Sequence, residues 1–111
     1  MAIEEKNIKE ALKKVLTKGI VLDIEYYDRK FLAEKCVKEI NKNLICEGYS
    51  VSLRDSVFVD VYYIRKSTKI TSLEITPKGI EFEKGTSADW VAAISPVIRL
   101  MMETIIGLTE N

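Results

Sequence analysis

The sequence predicts an α+β domain with N-terminal helices, a β-ribbon and a long C-terminal helix. The 111 residues fit one domain of ordinary size, and 47% apolar with 31% charged residues is a normal globular mixture. Apolar side chains recur with a helical period before residue 48 and after residue 87, whereas they alternate between residues 49 and 75. Because helices come first and a single antiparallel ribbon follows, this order favours α+β over a βαβ plan. We expect one domain over residues 1–111.

Two amphipathic helices are predicted in the N-terminal half. Residues 3–18 place isoleucine, leucine and valine on one side and lysine and glutamate on the other. The apolar stretch 19–24 is either an extended connection or a small strand. Asp28 can cap a second helix over residues 29–47, and Gly48 is expected to end it. The N-terminal segment has no long apolar run and is not a signal peptide, which predicts a cytoplasmic protein.

The middle of the chain has the alternating pattern of β-strands. Residues 49–53 and 57–64 are rich in β-branched and aromatic side chains, and both are predicted strands. Residues 65–69 form a polar turn, and residues 70–75 are a third candidate strand. The predicted result is a β-ribbon with a basic tip.

The C-terminal third is predicted to be helical. Pro77 suits the first turn of a short helix, with the preceding threonine as its cap. Residues 87–108 are predicted to form a long helix that Ser87 or Asp89 caps. Pro96 lies in the middle of that helix and predicts a kink or a break.

The helix over residues 87–108 is apolar around most of its circumference. It can be a core helix of a monomer, a core helix whose surplus face is buried in a homodimer, an interface for a different protein, or a membrane span. Asp89, Arg99 and Glu103 interrupt the apolar run and argue against the membrane. We expect the packing and dimerisation role, with an interface formed by Trp90, Ile94, Ile98, Met101 and Ile105.

Several kinds of chemistry lack candidate residues. The chain has no histidine, no phosphate-binding glycine loop and no recognisable pair of catalytic carboxylates, so we expect neither an enzyme nor a cofactor. Cys36 and Cys46 lie ten residues apart in one predicted helix, about 15 Å of rise, which is too far for a disulfide. We expect two reduced thiols and no metal site.

The chain resembles winged-helix proteins over two motifs. Residues 47–49 (Glu-Gly-Tyr) lead from a helix into the ribbon, and residues 75–82 (Ile-Thr-Pro-Lys-Gly-Ile-Glu-Phe) follow it. In winged-helix proteins a leucine-threonine-x-x-glycine element commonly follows the wing. The similarity is greatest to small YjcQ-type proteins of bacteria and phages, which also have a tryptophan-bearing C-terminal helix, as Trp90 provides here. It covers roughly residues 5–106 in element order and implies DNA binding by a recognition helix and a wing.

The charge distribution independently suggests a nucleic-acid surface. The net charge is zero, but residues 29–69 have a net charge of +4 and the rest of the chain −4. Asparagine can pair with adenine, and lysine can contact guanine or phosphate. We expect groove contacts from the helix and phosphate contacts from the ribbon tip. The predicted DNA-binding residues are Lys35, Lys38, Asn41 and Lys42 on the helix, and Arg65, Lys66 and Lys69 at the tip.

These observations predict a winged-helix protein that binds double-stranded DNA as a homodimer, a small transcription regulator of the kind that phages encode. The alternative is a protein-interaction module on the same fold, such as a phage-encoded inhibitor of a host protein. The zero net charge and the apolar C-terminal helix favour that alternative. A purely structural oligomer is the third hypothesis.

Overall fold

The computed structural model describes residues 19–63 and 68–109. They form an α+β domain with a five-stranded antiparallel sheet and a layer of helices. The helix predicted over residues 3–18 lies outside the described residues. In chain order the elements are β1 (Gly19–Val21), α1 (Arg29–Leu44), a 3₁₀ turn (Ile45–Glu47), β2 (Tyr49–Arg54), β3 (Phe58–Tyr63), β4 (Thr68–Thr76), β5 (Gly79–Phe82), α2 (Ala88–Ala93) and α3 (Ser95–Thr109).

The sheet has the strand order β1-β5-β4-β3-β2, so the last four strands form a meander and β1 joins its β5 edge. Strand register sorts the side chains by face because successive residues of a strand point to opposite sides. One cross-strand row is Leu53, Val59, Leu73 and Phe82, and it faces the core. The neighbouring row is Ser52, Asp60 and Ser72, and it lies on the opposite, outer face.

Helices α1 and α3 pack against each other, and α1 also packs along β2. Leu32, Cys36 and Ile40 of α1 are fully buried in the same hydrophobic cluster as the inner face of the sheet. Tyr27 ties the two helices together at one end, because its hydroxyl donates to the carbonyl oxygen of Thr109 at 2.8 Å. The start of α1 therefore lies beside the end of α3.

The predicted second helix is confirmed over Arg29–Leu44, and the last three residues of the predicted range form a 3₁₀ turn instead. Asp28 caps α1 by accepting hydrogen bonds from the backbone amides of Lys30 and Phe31 at 3.0 and 3.3 Å. After the 3₁₀ turn, Gly48 has a φ of 95°, the left-handed conformation that ends helices at low cost for glycine.

The predicted break at Pro96 is also confirmed. Helix α2 ends at Ala93, and α3 begins at Ser95, with Pro96 in its first turn. Ser87 caps α2 by accepting from the amide of Trp90 at 3.2 Å. The Tyr49 hydroxyl donates to the carbonyl of Ala93 at 2.7 Å and holds α2 against the start of β2.

The helix predicted to start at Pro77 is wrong. Pro77 and Lys78 are instead the two turn residues of the β4–β5 hairpin, in which Thr76 faces Gly79. The hydroxyl of Thr76 accepts from the amide of Lys78 at 3.2 Å, an arrangement typical of turns. Ile80 and Phe82 then continue the inner face, so the predicted ribbon extends into a five-stranded sheet.

The structure also contradicts most of the predicted dimer interface. Ile94, Ile98, Met101 and Ile105 are completely buried in the core of a single chain. They cannot contact a second copy without being removed from that core. Trp90 is the exception, with 45% of its surface exposed. No helix within the described ranges is long and apolar enough to cross a membrane.

Both cysteines are free thiols, as predicted, and they differ sharply in environment. Cys36 is buried between α1 and α3, and burial raises the pKa of its thiol to about 12. Cys46 is exposed in the 3₁₀ turn. Only the thiolate reacts with disulfide reagents, so the burial and the raised pKa of Cys36 both protect its thiol, whereas the Cys46 thiol is accessible.

We expect a thiol reagent at about pH 8 to modify Cys46 quickly and to modify Cys36 over a thousandfold more slowly than an ordinary exposed thiol. The native protein should release about one equivalent of chromophore from an aromatic disulfide reagent, and the unfolded protein two. A Cys46→Ser variant should show almost no native reaction. Rapid release of two equivalents from the native parent would contradict the burial of Cys36.

Candidate nucleic-acid interface on helix α1

Three predicted DNA-binding lysines lie in one line on the outside of α1. Lys35, Lys38 and Lys42 are spaced at i, i+3 and i+7, which places them on the same face of a helix. Ile40 and Cys36, on the opposite face, are fully buried. We call these three lysines the basic stripe; it runs over about 10 Å of helix.

The stripe has a net positive environment. The 16 residues of α1 contain five cations and two acids. Lys38 and Lys42 are exposed and Lys35 is partly exposed. Within residues 19–63 and 68–109 the ion pairs involve Arg54, Lys69 and Arg99 and none of the stripe lysines. No stripe lysine is therefore held in an ion pair within the described residues, and each ammonium group can meet an external anion.

The stripe begins beside an aromatic ring. The ammonium nitrogen of Lys35 lies 5.4 Å from the centroid of the Phe31 ring, within the range of a cation–π contact. Phe31 lies four residues before Lys35, so it is on the same line of the helix. Phe31 as a whole is 44% exposed. The sequence-based prediction did not include Phe31, although its spacing to Lys35 was visible in the sequence.

Asn41 has a different role from the one predicted. Its side-chain amide donates to the carbonyl oxygen of Val51 at 2.9 Å, and its amide oxygen accepts from the Val51 amide at 2.9 Å. Asn41 thus satisfies the backbone amide and the backbone carbonyl of Val51. This pairing occupies the donor and the acceptor that adenine recognition needs, so we correct the interpretation of Asn41 as a base-reading residue.

Of the predicted ribbon-tip cations, the structure describes Lys69, which does not lie at the stripe. Arg65 and Lys66 lie outside the described residues. Lys69 stands at the start of β4, and its ammonium nitrogen is 3.8 Å from a carboxylate oxygen of Asp60 on the outer face of the sheet. Helix α1 packs on the inner face and along β2. Lys69 and the basic stripe therefore belong to different surfaces.

The outer face holds a polar network that the sequence did not reveal. Asp60 is only 5% exposed, and its carboxylate accepts hydrogen bonds from the Arg54 guanidinium, at 3.2 Å, and from the Ser72 hydroxyl. The guanidinium carbon of Arg54 lies 4.6 Å from the Phe58 ring centroid. Asp60 thus receives hydrogen bonds from side chains of β2 and β4, the two strands beside β3. Such cross-strand contacts are typical of a pair that stabilises the sheet.

Two depressions of the described surface have none of the stripe lysines in their walls. One, of about 310 Å³, lies between the end of α1 and the start of α3, and Glu47, Arg99 and Glu103 line it. The other, of about 350 Å³, lies on the outer face beside Glu74 and Glu81. Acidic side chains outnumber basic ones around each, which favours neither as a phosphate site. No group of three or more metal-ligating side chains occurs in the described ranges.

Comparison with protein-family models, with curated proteins and with solved structures found no match to this chain. The resemblance to winged-helix proteins consequently stays a prediction. The candidate interface is defined by the geometry of α1 alone.

Proposed function

We propose that this protein binds nucleic acid through the basic stripe of α1, with Lys35, Lys38 and Lys42 contacting backbone phosphates. The observation that supports it is the alignment of three lysine side chains that form no ion pair with a carboxylate within the described residues. Phosphate contact requires such a cationic surface and no particular base. Transcription regulation, which the winged-helix resemblance implies, is one use of this binding and stays a prediction.

The zero net charge of the whole chain does not argue against phosphate binding, because the charge near the contact surface decides it. Phosphate recognition depends on the field at the contact surface, and opposite charges farther away than about 8–10 Å are largely screened at physiological salt. Glu34 lies one helical turn before Lys38, and Glu39 lies one turn after Lys35. Neither carboxylate forms an ion pair with a stripe lysine within the described residues. The Glu39 carboxylate is in turn hydrogen-bonded to the side chain of Asn43 at 3.2 Å. The stripe is thus a positive line on a chain of zero net charge.

Reversing two charges of the stripe is expected to abolish most of the affinity. We expect the double variant Lys38→Glu/Lys42→Glu to bind a labelled oligonucleotide at least about tenfold more weakly than the parent. The dependence of affinity on salt should also become shallower by about one to two units of the logarithmic slope. Fluorescence anisotropy at several salt concentrations measures both quantities.

A matched control is available near β5. Lys78 and Lys84 are exposed and lie in the turns before and after that strand, away from α1. The double variant Lys78→Glu/Lys84→Glu changes the net charge by the same amount and should bind nearly as well as the parent. Equal weakening in both double variants would indicate a general charge effect and would exclude the stripe as the binding surface.

Trp90 supports a second candidate function, a protein-interaction module. Its ring is 45% exposed on the short helix α2, and exposed tryptophans are enriched among the residues that dominate protein interfaces. Such a module should recover one stoichiometric protein partner, with an affinity that changes little with salt. Replacing Trp90 with alanine should abolish that recovery, whereas Lys38→Glu/Lys42→Glu should leave it intact.

A further inference from the structure

Aromatic side chains are exposed at the N-terminal end of the basic stripe. Tyr26 is 92% exposed, in the turn just before α1, and Phe31 is 44% exposed in the first turn of the helix. Tyr27 lies between them and is also exposed, but its hydroxyl is fixed by the carbonyl of Thr109. Two exposed aromatic side chains thus lie just before and in the first turn of the helix that has the basic stripe.

The arrangement is linear. Phe31, Lys35, Lys38 and Lys42 follow one line along α1 with spacings of four, three and four residues. The line spans about 16 Å from the aromatic ring to the last lysine. A strand lying along it would meet an aromatic ring at one end and ammonium groups over the rest of its length.

The same surface is poorly suited to reading a duplex by its base edges. Asn41, the side chain on α1 expected to pair with a base, is bonded at both amide atoms to Val51. Duplexes present base edges in their grooves, whereas the flat faces of the bases are stacked inside. Exposed rings can stack only on bases whose faces are accessible, as in single strands, loops and ends.

We infer that the partner of this surface is single-stranded nucleic acid, with bases stacked on Phe31 and Tyr26 and phosphates along Lys35, Lys38 and Lys42. The inference rests on the proposed function and adds the class of nucleic acid. Stacking accepts any base, so sequence preference should be weak. The cation–π contact between Lys35 and Phe31 holds the ring and the first ammonium group of the stripe close together.

The test compares a fluorescently labelled oligodeoxythymidylate of about 12 nucleotides with a duplex of the same length, using the full chain. We expect the single strand to bind at least about tenfold more tightly at low salt. The variant Phe31→Leu keeps an apolar side chain of similar size but removes the ring, and it should weaken single-strand binding roughly five- to 100-fold. Phe31→Trp, which keeps an aromatic ring, should bind the single strand about as well as the parent. Tyr26→Leu should weaken single-strand binding, as Phe31→Leu does.

The salt dependence separates stacking from phosphate contact. Phe31→Leu should leave the salt slope unchanged, whereas Lys38→Ala should reduce it. Trp90→Leu is the matched control, because Trp90 is exposed to the same extent as Phe31. Trp90 lies near the start of α3, whereas Phe31 lies near the end of α3. Loss of the Trp90 ring should therefore not change single-strand binding.

Equal affinity for duplex and single strand, or full binding by Phe31→Leu, would overturn the single-strand inference and leave the phosphate-contacting stripe in place. Failure of the parent to bind either oligonucleotide at micromolar concentration and low salt would overturn both proposals.

Discussion

A Gly79→Ala variant is expected to unfold at least about 3 kcal/mol more easily than the parent, because the new methyl group would clash with the backbone of β1. An ideal Cβ on Gly79 would lie 2.0 Å from the carbonyl oxygen of Ile20 and 2.6 Å from the amide nitrogen of Leu22. Both are backbone atoms, so no side-chain rotation relieves the contact. Gly79 also has a φ of 136°, which L-residues rarely adopt.

Gly107→Ala is the natural control for that variant. Gly107 lies in α3, and a Cβ there would meet no atom within 4 Å. Alanine favours the helix over glycine, so this variant should match the parent or exceed its stability by up to about 1 kcal/mol. Urea unfolding followed by circular dichroism measures both variants. A Gly79→Ala protein within about 1 kcal/mol of the parent would contradict the close approach of β1 to β5.

Replacing Asn41 with alanine should have the second largest effect, a loss of about 2–3 kcal/mol of unfolding free energy. The change removes two hydrogen bonds and leaves the amide and the carbonyl of Val51 without partners. Val51 is a buried residue of β2, so water reaches those groups poorly. The unsealed edge of β2 should also make the variant more prone to associate, because unpaired edge strands pair with other chains.

Asn43 provides a matched asparagine on the same helix. Its side chain is exposed, and among the described residues it hydrogen-bonds only to Glu39 of the same helix. Asn43→Ala should therefore cost less than about 0.5 kcal/mol. If Asn41→Ala were as stable as Asn43→Ala but bound nucleic acid more weakly, Asn41 would be a contact residue and the edge-sealing role would be wrong.

Much of the fold was predictable from local patterns. The helical period, the Asp28 cap and Gly48 defined α1, and Pro96 marked the break between α2 and α3. Strands β2 and β3 followed from alternation of β-branched and aromatic residues. Each of these signals depends on residues a few positions apart, which is why the sequence alone was sufficient.

The errors arose where the deciding contact is distant in the chain. Pro77 is compatible both with the first turn of a helix and with a hairpin turn, and the pairing of β5 with β1 decides for the hairpin. Ile98 and its neighbours suggested a dimer because α3 is apolar on several sides, but α1 and the sheet cover those sides.

The candidate site was predicted in part. Lys35, Lys38 and Lys42 were identifiable from charge and helical spacing, and the structure places them together on an exposed face. Asn41 was misinterpreted because its partner, Val51, belongs to a strand beyond the helix end. Phe31 was not predicted as a site residue, because an aromatic residue in a helix is usually part of the core. Only the fold shows that this residue is exposed.

The salt dependence of the parent's affinity tests the basic stripe most directly. Three phosphate contacts give a logarithmic slope of about −2.1 for a single strand to about −2.7 for a duplex, so affinity for an oligonucleotide should fall roughly 20- to 40-fold between about 50 and 200 mM salt. That result would establish a phosphate-contacting surface of the expected size. Absence of binding at micromolar protein in low salt, or binding that does not change with salt, would contradict the proposed function.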